Sequence, residues 1–251
     1  MLFIHGLGAR ADRWRLNMPA FADAGYHGYA LDLPGHGLAT KGGNIPSSVP
    51  MLASLLVDTL DALRIERAFL VGTSLGAHIA ATVACEASHR VRGLILIGAL
   101  GIASLGDEAA DAIRRNVQQT SRDAIAGKLA FVLADSRAVS QTMIEEEWRI
   151  NNSPGARESF AKLGDYIASD LDRDGVGERL SAYVGALPML LVWGAKDQAV
   201  SIKIAERAKE ILSGTDLVMI EDAGHVPYFE KPSAFNKAVL ERFGAWRSVG
   251  F

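Results

Sequence analysis

The chain has 251 residues, 49% of them apolar and 22% charged, and a formal net charge of −3; a chain of that size and make-up buries a full core without a disulfide, structural metal or partner. The slight acidic balance leaves no basic surplus for a nucleic-acid surface, the single cysteine, Cys85, excludes an internal disulfide and a cysteine-based zinc cluster, and no apolar run approaches the roughly 18 residues that span a bilayer. The expectation is a soluble, cytoplasmic protein of one or two domains that takes a small-molecule substrate and has neither a nucleic-acid nor a membrane partner.

In chain order, Leu2–Ile4 reads as a short buried strand, residues 12–24 as a helix and residues 28–31 as a second strand. A helix over 48–63, a strand over 67–72, a helix over 75–87 and a strand over 93–97 follow. Residues 187–193, 202–212 and 217–220 repeat the alternation as strand, helix and strand. Such alternation predicts a mostly parallel sheet covered by helices on both faces. Residues 101–184 interrupt it, with helical patches at 107–120, 122–133, 139–148 and 159–167 separated by the turns Asn151-Asn152-Ser153-Pro154-Gly155 and Asp172-Arg173-Asp174-Gly175. An interval of about eighty residues is too long for a loop and is predicted to be a helical insertion. Two core segments, 1–100 and 185–251, then flank an insertion at 101–184. Glu145-Glu146-Glu147 reads as a solvated helix face.

Between the strand at 67–72 and the helix at 75–87 stands Gly72-Thr73-Ser74-Leu75-Gly76. A G-x-S-x-G sequence in that position is a nucleophile elbow, a tight turn that lifts the serine above the strand end. A serine hydroxyl needs a base within hydrogen-bond reach and a third group to hold that base. Trp193-Gly194-Ala195-Lys196-Asp197 and Gly224-His225-Val226-Pro227 both follow predicted strands, at the same rim of the sheet. Ser74, Asp197 and His225 are therefore the candidate nucleophile, orienting carboxylate and base, with Asp222 as the alternative acid. The oxyanion formed on attack needs backbone donors. Leu75 N–H, at a helix N-terminus, is one; His5-Gly6-Leu7-Gly8 is placed to supply another.

These segments, together with Asp32-Leu33-Pro34-Gly35-His36-Gly37 and Glu230-Lys231-Pro232, resemble the α/β-hydrolase superfamily over essentially the whole chain. The resemblance implies an α/β-hydrolase fold, an oxyanion hole from the amides of Leu7 and Leu75, a helical cap formed by the insertion, and a structural role for His36 in its turn. No cofactor and no metal are implied. Trp148 is expected to line the pocket beneath the cap. Members of the superfamily usually carry an antiparallel hairpin ahead of the strand leading into His-Gly, which is missing here; residues 28–31 are then expected at a sheet edge, open to pairing in a homodimer.

Serine at the elbow argues for acyl chemistry over that of the dehalogenases and epoxide hydrolases, which use a carboxylate nucleophile. The sequence predicts hydrolysis of a carboxylic ester or lactone through an acyl-enzyme on Ser74. A C–C bond hydrolase of ring-cleavage products is the alternative, suggested by Pro154-Gly155-Ala156-Arg157 and its surroundings. Those enzymes usually have Asn before the nucleophile and Trp after the histidine, where this chain has Thr73 and Val226. A non-catalytic ligand binder on the same fold is a third reading, disfavoured because all three triad positions are filled.

Overall fold

The structure, a computed structural model, describes residues 1–248. Six strands, β1 (Leu2–Ile4), β2 (Tyr29–Leu31), β3 (Ala68–Thr73), β4 (Val91–Ile97), β5 (Met189–Gly194) and β6 (Asp216–Ile220), form one sheet in the order β2-β1-β3-β4-β5-β6, with every adjacent pair parallel. Successive residues of each strand point to opposite faces, and both rows are apolar. In β1, Leu2 and Ile4 join one core and Phe3 the other; in β4, Leu94 and Leu96 join the first, Ile95 and Ile97 the second. That pattern is what crossover helices on both faces require.

On the first face lie α2 (Val49–Ala62), α3 (Leu75–Glu86) and α9 (Ile202–Ile211). Helix α3 is buried almost all round, and Ala77, Ala80, Ala81 and Ala84 let it sit directly on the strands. On the second face, α1 (Met18–Asp23) and α10 (Pro232–Ser248) hold an aromatic layer that includes Phe3, Trp14, Phe21, Tyr228, Phe235 and Phe243. The predicted helix over 12–24 is split into a short 3₁₀ turn, Ala11–Trp14, and α1. Pro19 is the reason: lacking an amide hydrogen, it is tolerated in the first turn of a helix and marks a new start.

Five helices stand between β4 and β5: α4 (Asp107–Val117), α5 (Arg122–Val132), α6 (Gln141–Asn151), α7 (Ala156–Ser169) and α8 (Gly177–Ser181). Helix α4 packs on α7, and α5 on α6. Their starts are written locally. Ser121 Oγ accepts from the Ala124 amide at 3.1 Å and Ser140 Oγ from the Met143 amide at 3.2 Å, each satisfying a donor with no partner inside its helix. Helix α7 begins three residues before its predicted start, after Gly155 at φ 78°. No described helix is long and apolar enough to cross a membrane.

The strand order sets the place of a site. From β1 the chain steps outward to β2, at one edge among the described residues, then returns past β1 to β3 and proceeds to β6. The direction of winding reverses between β1 and β3, and the crevice above their C-terminal ends is where such sheets build sites.

Candidate active site

Ser74 leaves β3 and enters α3 with φ 55° and ψ −118°, a conformation costly for a residue with a side chain. The surroundings fix it there. Its amide donates to Ile97 O at 2.8 Å, and its carbonyl accepts from the Ala77 and His78 amides at 3.0 and 3.2 Å. A Cβ on Gly76 would collide with the carbonyl oxygens of Ile4 and His5, so the turn closes only because position 76 has none.

After β5 the chain turns so that Asp197 Oδ1 accepts from the amides of Ala199 and Val200 at 2.8 and 2.9 Å. Trp193 secures that turn by donating its indole N–H to Val200 O at 2.9 Å. Asp197 Oδ2 lies 2.8 Å from Nδ1 of His225, which follows β6, and the carboxylate is wholly buried behind the ring. Gly98 makes room: a Cβ there would stand 2.9 Å from His225 Cε1. Asp222, the alternative acid, instead pairs with Lys196 at 2.6 Å on the surface, and that pairing holds its carboxyl below the usual range.

The His225 loop is braced from the insertion. Its amide donates to Val132 O at 2.8 Å, while Glu230 accepts from the amides of Gly224 and Ala134, each at 2.7 Å. Burial pushes the Glu230 carboxyl up against the pull of those amides.

Just past the C-terminal end of β1, His5 accepts from the Leu33 amide through Nε2 at 2.9 Å, which leaves Nδ1 to donate to Gly6 O at 2.7 Å. His36 packs against it at 4.9 Å between ring centres and hydrogen-bonds Pro34 O, a structural turn residue. Burial pushes His5 down to about 4 and, with His5 beside it, His36 down to about 3. The amides of Leu7 and Leu75 donate to no acceptor among the described residues.

A cavity of about 540 Å³ opens over this rim, bordered by Leu7, Ser74 and His225. Asp197 and Leu75 do not border it: the first lies behind His225, and the second begins α3 with its side chain in the core. Trp148 is absent from the lining. Met143, Glu147 and Asn151, four residues apart along α6, face the cavity, and position 148 is turned roughly 100° from that stripe. The Trp148 ring is covered instead by the Arg122 guanidinium at 3.7 Å. Glu147, expected in solvent, is buried and paired with Arg13 from the turn after β1. Neither placement is legible in the residues taken one by one. The four-residue spacing of Met143, Glu147 and Asn151 is the one signal that pointed inward.

A family model described as alpha/beta hydrolase fold matches residues 1–232. The chain belongs to that family. Among its relatives is the dihydrolipoyllysine-residue acetyltransferase component of an acetoin cleaving system from Cupriavidus necator, 30% identical over 97% of this chain. This chain spans 63% of that protein's length. It is also 31% identical, over 96% of its length and 85% of the relative's, to a 2-hydroxy-6-oxononadienedioate/2-hydroxy-6-oxononatrienedioate hydrolase from Burkholderia vietnamiensis. A solved meta-cleavage product hydrolase from Pseudomonas fluorescens superimposes with a TM-score of 0.85 at 25% identity, covering 97% of this chain and 90% of that one.

Proposed function

We propose that this hydrolase acts on a carboxylic ester or lactone, with Ser74 as nucleophile, His225 as general base and Asp197 holding the imidazole. In this reading His225 takes the Ser74 proton as Oγ attacks the carbonyl carbon, and then returns it to the leaving alkoxide. Water, deprotonated by the same ring, releases the acid. The amides of Leu7 and Leu75 receive the oxyanion, each worth about 3–4 kcal/mol of transition-state stabilisation. The insertion at 101–184 serves as a cap over the cavity, whose size suits a small organic substrate. The observation that carries the reading is the buried bond from Asp197 to His225 Nδ1, which leaves Nε2 free to meet a serine bordering the same cavity. Cleavage of a C–C bond in a ring-cleavage product is the second reading, favoured by the names of the Burkholderia and Pseudomonas proteins. It uses the same three residues.

The test is labelling by a fluorophosphonate together with turnover of p-nitrophenyl esters and a dienone ring-cleavage product. Wild type should label and hydrolyse. Ser74→Ala should not label and should lose several orders of magnitude in turnover. More than a few per cent residual activity in purified Ser74→Ala would overturn the assignment, and the better substrate decides between the two reactions.

A further inference from the structure

The cavity that Ser74 and His225 border contains charges that the proposed chemistry does not use. Arg13 and Glu147 line it at 8% and 5% exposure, and Arg13 Nη2 donates to Glu147 Oε1. Among the described residues that carboxylate is the one hydrogen-bond partner of the Arg13 side chain, so Nε and Nη1 make no hydrogen bond. Phe229, also in the lining, lies 5.2 Å from the guanidinium carbon and limits how its plane can turn.

Lys128, on α5, is the second cation of the lining. Its ammonium donates to Gln119 O, and burial pushes it down to about 8 while Glu147 pulls the other way. Arg10 reaches Glu147 with Nη1 at 3.6 Å but is already engaged, through Nε with Asp12 at 2.6 Å and through Nη2 with Glu146 at 2.7 Å. Within the cavity, then, two cations share one carboxylate. One positive charge is unmatched, in a space lined otherwise mostly by apolar side chains such as Leu100, Ile113, Ile125 and Leu129. Lys128 is only partly buried, so its ammonium is open to an anion that enters the cavity beside Arg13.

We propose that the cavity takes substrates carrying a free carboxylate in addition to the scissile carbonyl, with Arg13 and Lys128 holding that carboxylate and Glu147 positioning the Arg13 guanidinium. An arginine fork fixed on one side presents its remaining N–H groups to a planar anion, and a lysine adds a point charge. The proposal rests on the serine-hydrolase reading for its kinetic form, whereas its binding form is independent of turnover.

Kinetically, kcat/KM is compared for p-nitrophenyl butyrate and for the mono-p-nitrophenyl ester of glutaric acid, the neutral ester serving as each variant's internal reference. A charge-assisted pair predicts a wild-type preference for the carboxylated ester of about 10- to 100-fold. That ratio should collapse toward one in Lys128→Met and in the paired variant Arg13→Met/Glu147→Leu, which removes both buried charges together. It should also decline in wild type as pH rises past 8, where Lys128 loses its charge. For binding, glutarate should raise the Tm of wild type and not that of Lys128→Met, whether or not any ester is cleaved. A wild-type ratio near or below one, or no shift of Tm by glutarate, overturns the proposal, as does a preference that survives in Lys128→Met. Failure of both esters to turn over while glutarate still stabilises would count against the ester reading alone.

Discussion

The buried histidines that follow β1 and β2, His5 and His36, make acid stability a quantitative test of the packing. His5 and His36 are held neutral, at about 4 and about 3 against an ordinary 6.5, because burial removes the water a charged ring needs. Both folded values lie below the unfolded one. Their contribution is therefore fully present above pH 6.5 and is lost as pH falls toward 4 and 3, since the unfolded chain takes up protons that the folded rings refuse. From pH 6.5 to pH 5 each ring forgoes about 1.5 pH units of protonation at ~1.4 kcal/mol per unit, or about 2 kcal/mol, and the pair about 4 kcal/mol. Against a typical total of about 5–15 kcal/mol that is a large fraction. The measurement is urea unfolding followed by circular dichroism at pH 7 and pH 5 at constant ionic strength. The comparison variant is His5→Gln/His36→Asn, in which Gln can still accept from the Leu33 amide and Asn can still donate to Pro34 O. Wild type should lose about 4 kcal/mol between the two pH values, and the variant should lose much less. A wild-type loss below about 1 kcal/mol, or an undiminished slope in the variant, would mean that burial does not hold these rings neutral.

Asp197→Asn should retain the turn, because its side-chain oxygen can still accept from Ala199 and Val200, while presenting an amide that favours the wrong tautomer of His225; turnover should fall roughly 10³- to 10⁴-fold with little change in the unfolding midpoint. Glu230→Gln keeps one acceptor and turns an NH₂ toward a backbone amide, so stability should drop by about 1–3 kcal/mol, read from urea unfolding. For the same variant kcat should fall more than KM changes, because the loop that is loosened carries His225; an unaltered kcat would restrict Glu230 to a structural role.

The strands were legible because both of their faces are apolar, and the positions of Ser74, Asp197 and His225 because each lies within a few residues of the end of β3, β5 or β6, so that local sequence fixes where each one emerges. Helix boundaries were legible to within a few residues wherever a side chain set them, as Ser121 and Ser140 do. At Pro19 the apolar periodicity of residues 12–24 masks the break, and the proline decides the structure. Arg13 and Glu147 were illegible for a different reason. They are 134 positions apart, and each looks like an ordinary surface charge until the insertion folds over the turn after β1. Trp148 misled because size and aromaticity say nothing about which side of a helix a residue occupies.

The loop bearing His225 takes part of its support from Val132 and Ala134, which belong to the insertion and not to the sheet. Insertions at this point of the fold are natural targets for exchange when a new substrate is sought, on the assumption that the sheet supplies the reactivity and the added helices only the selectivity. In this chain the assumption does not hold. A graft that replaced residues 101–184 would also remove a carbonyl and an amide that hold the loop of His225, the proposed base, so recognition and rate would be inherited together. A transplant that spares residues 132–134 with Glu230 keeps the two separable.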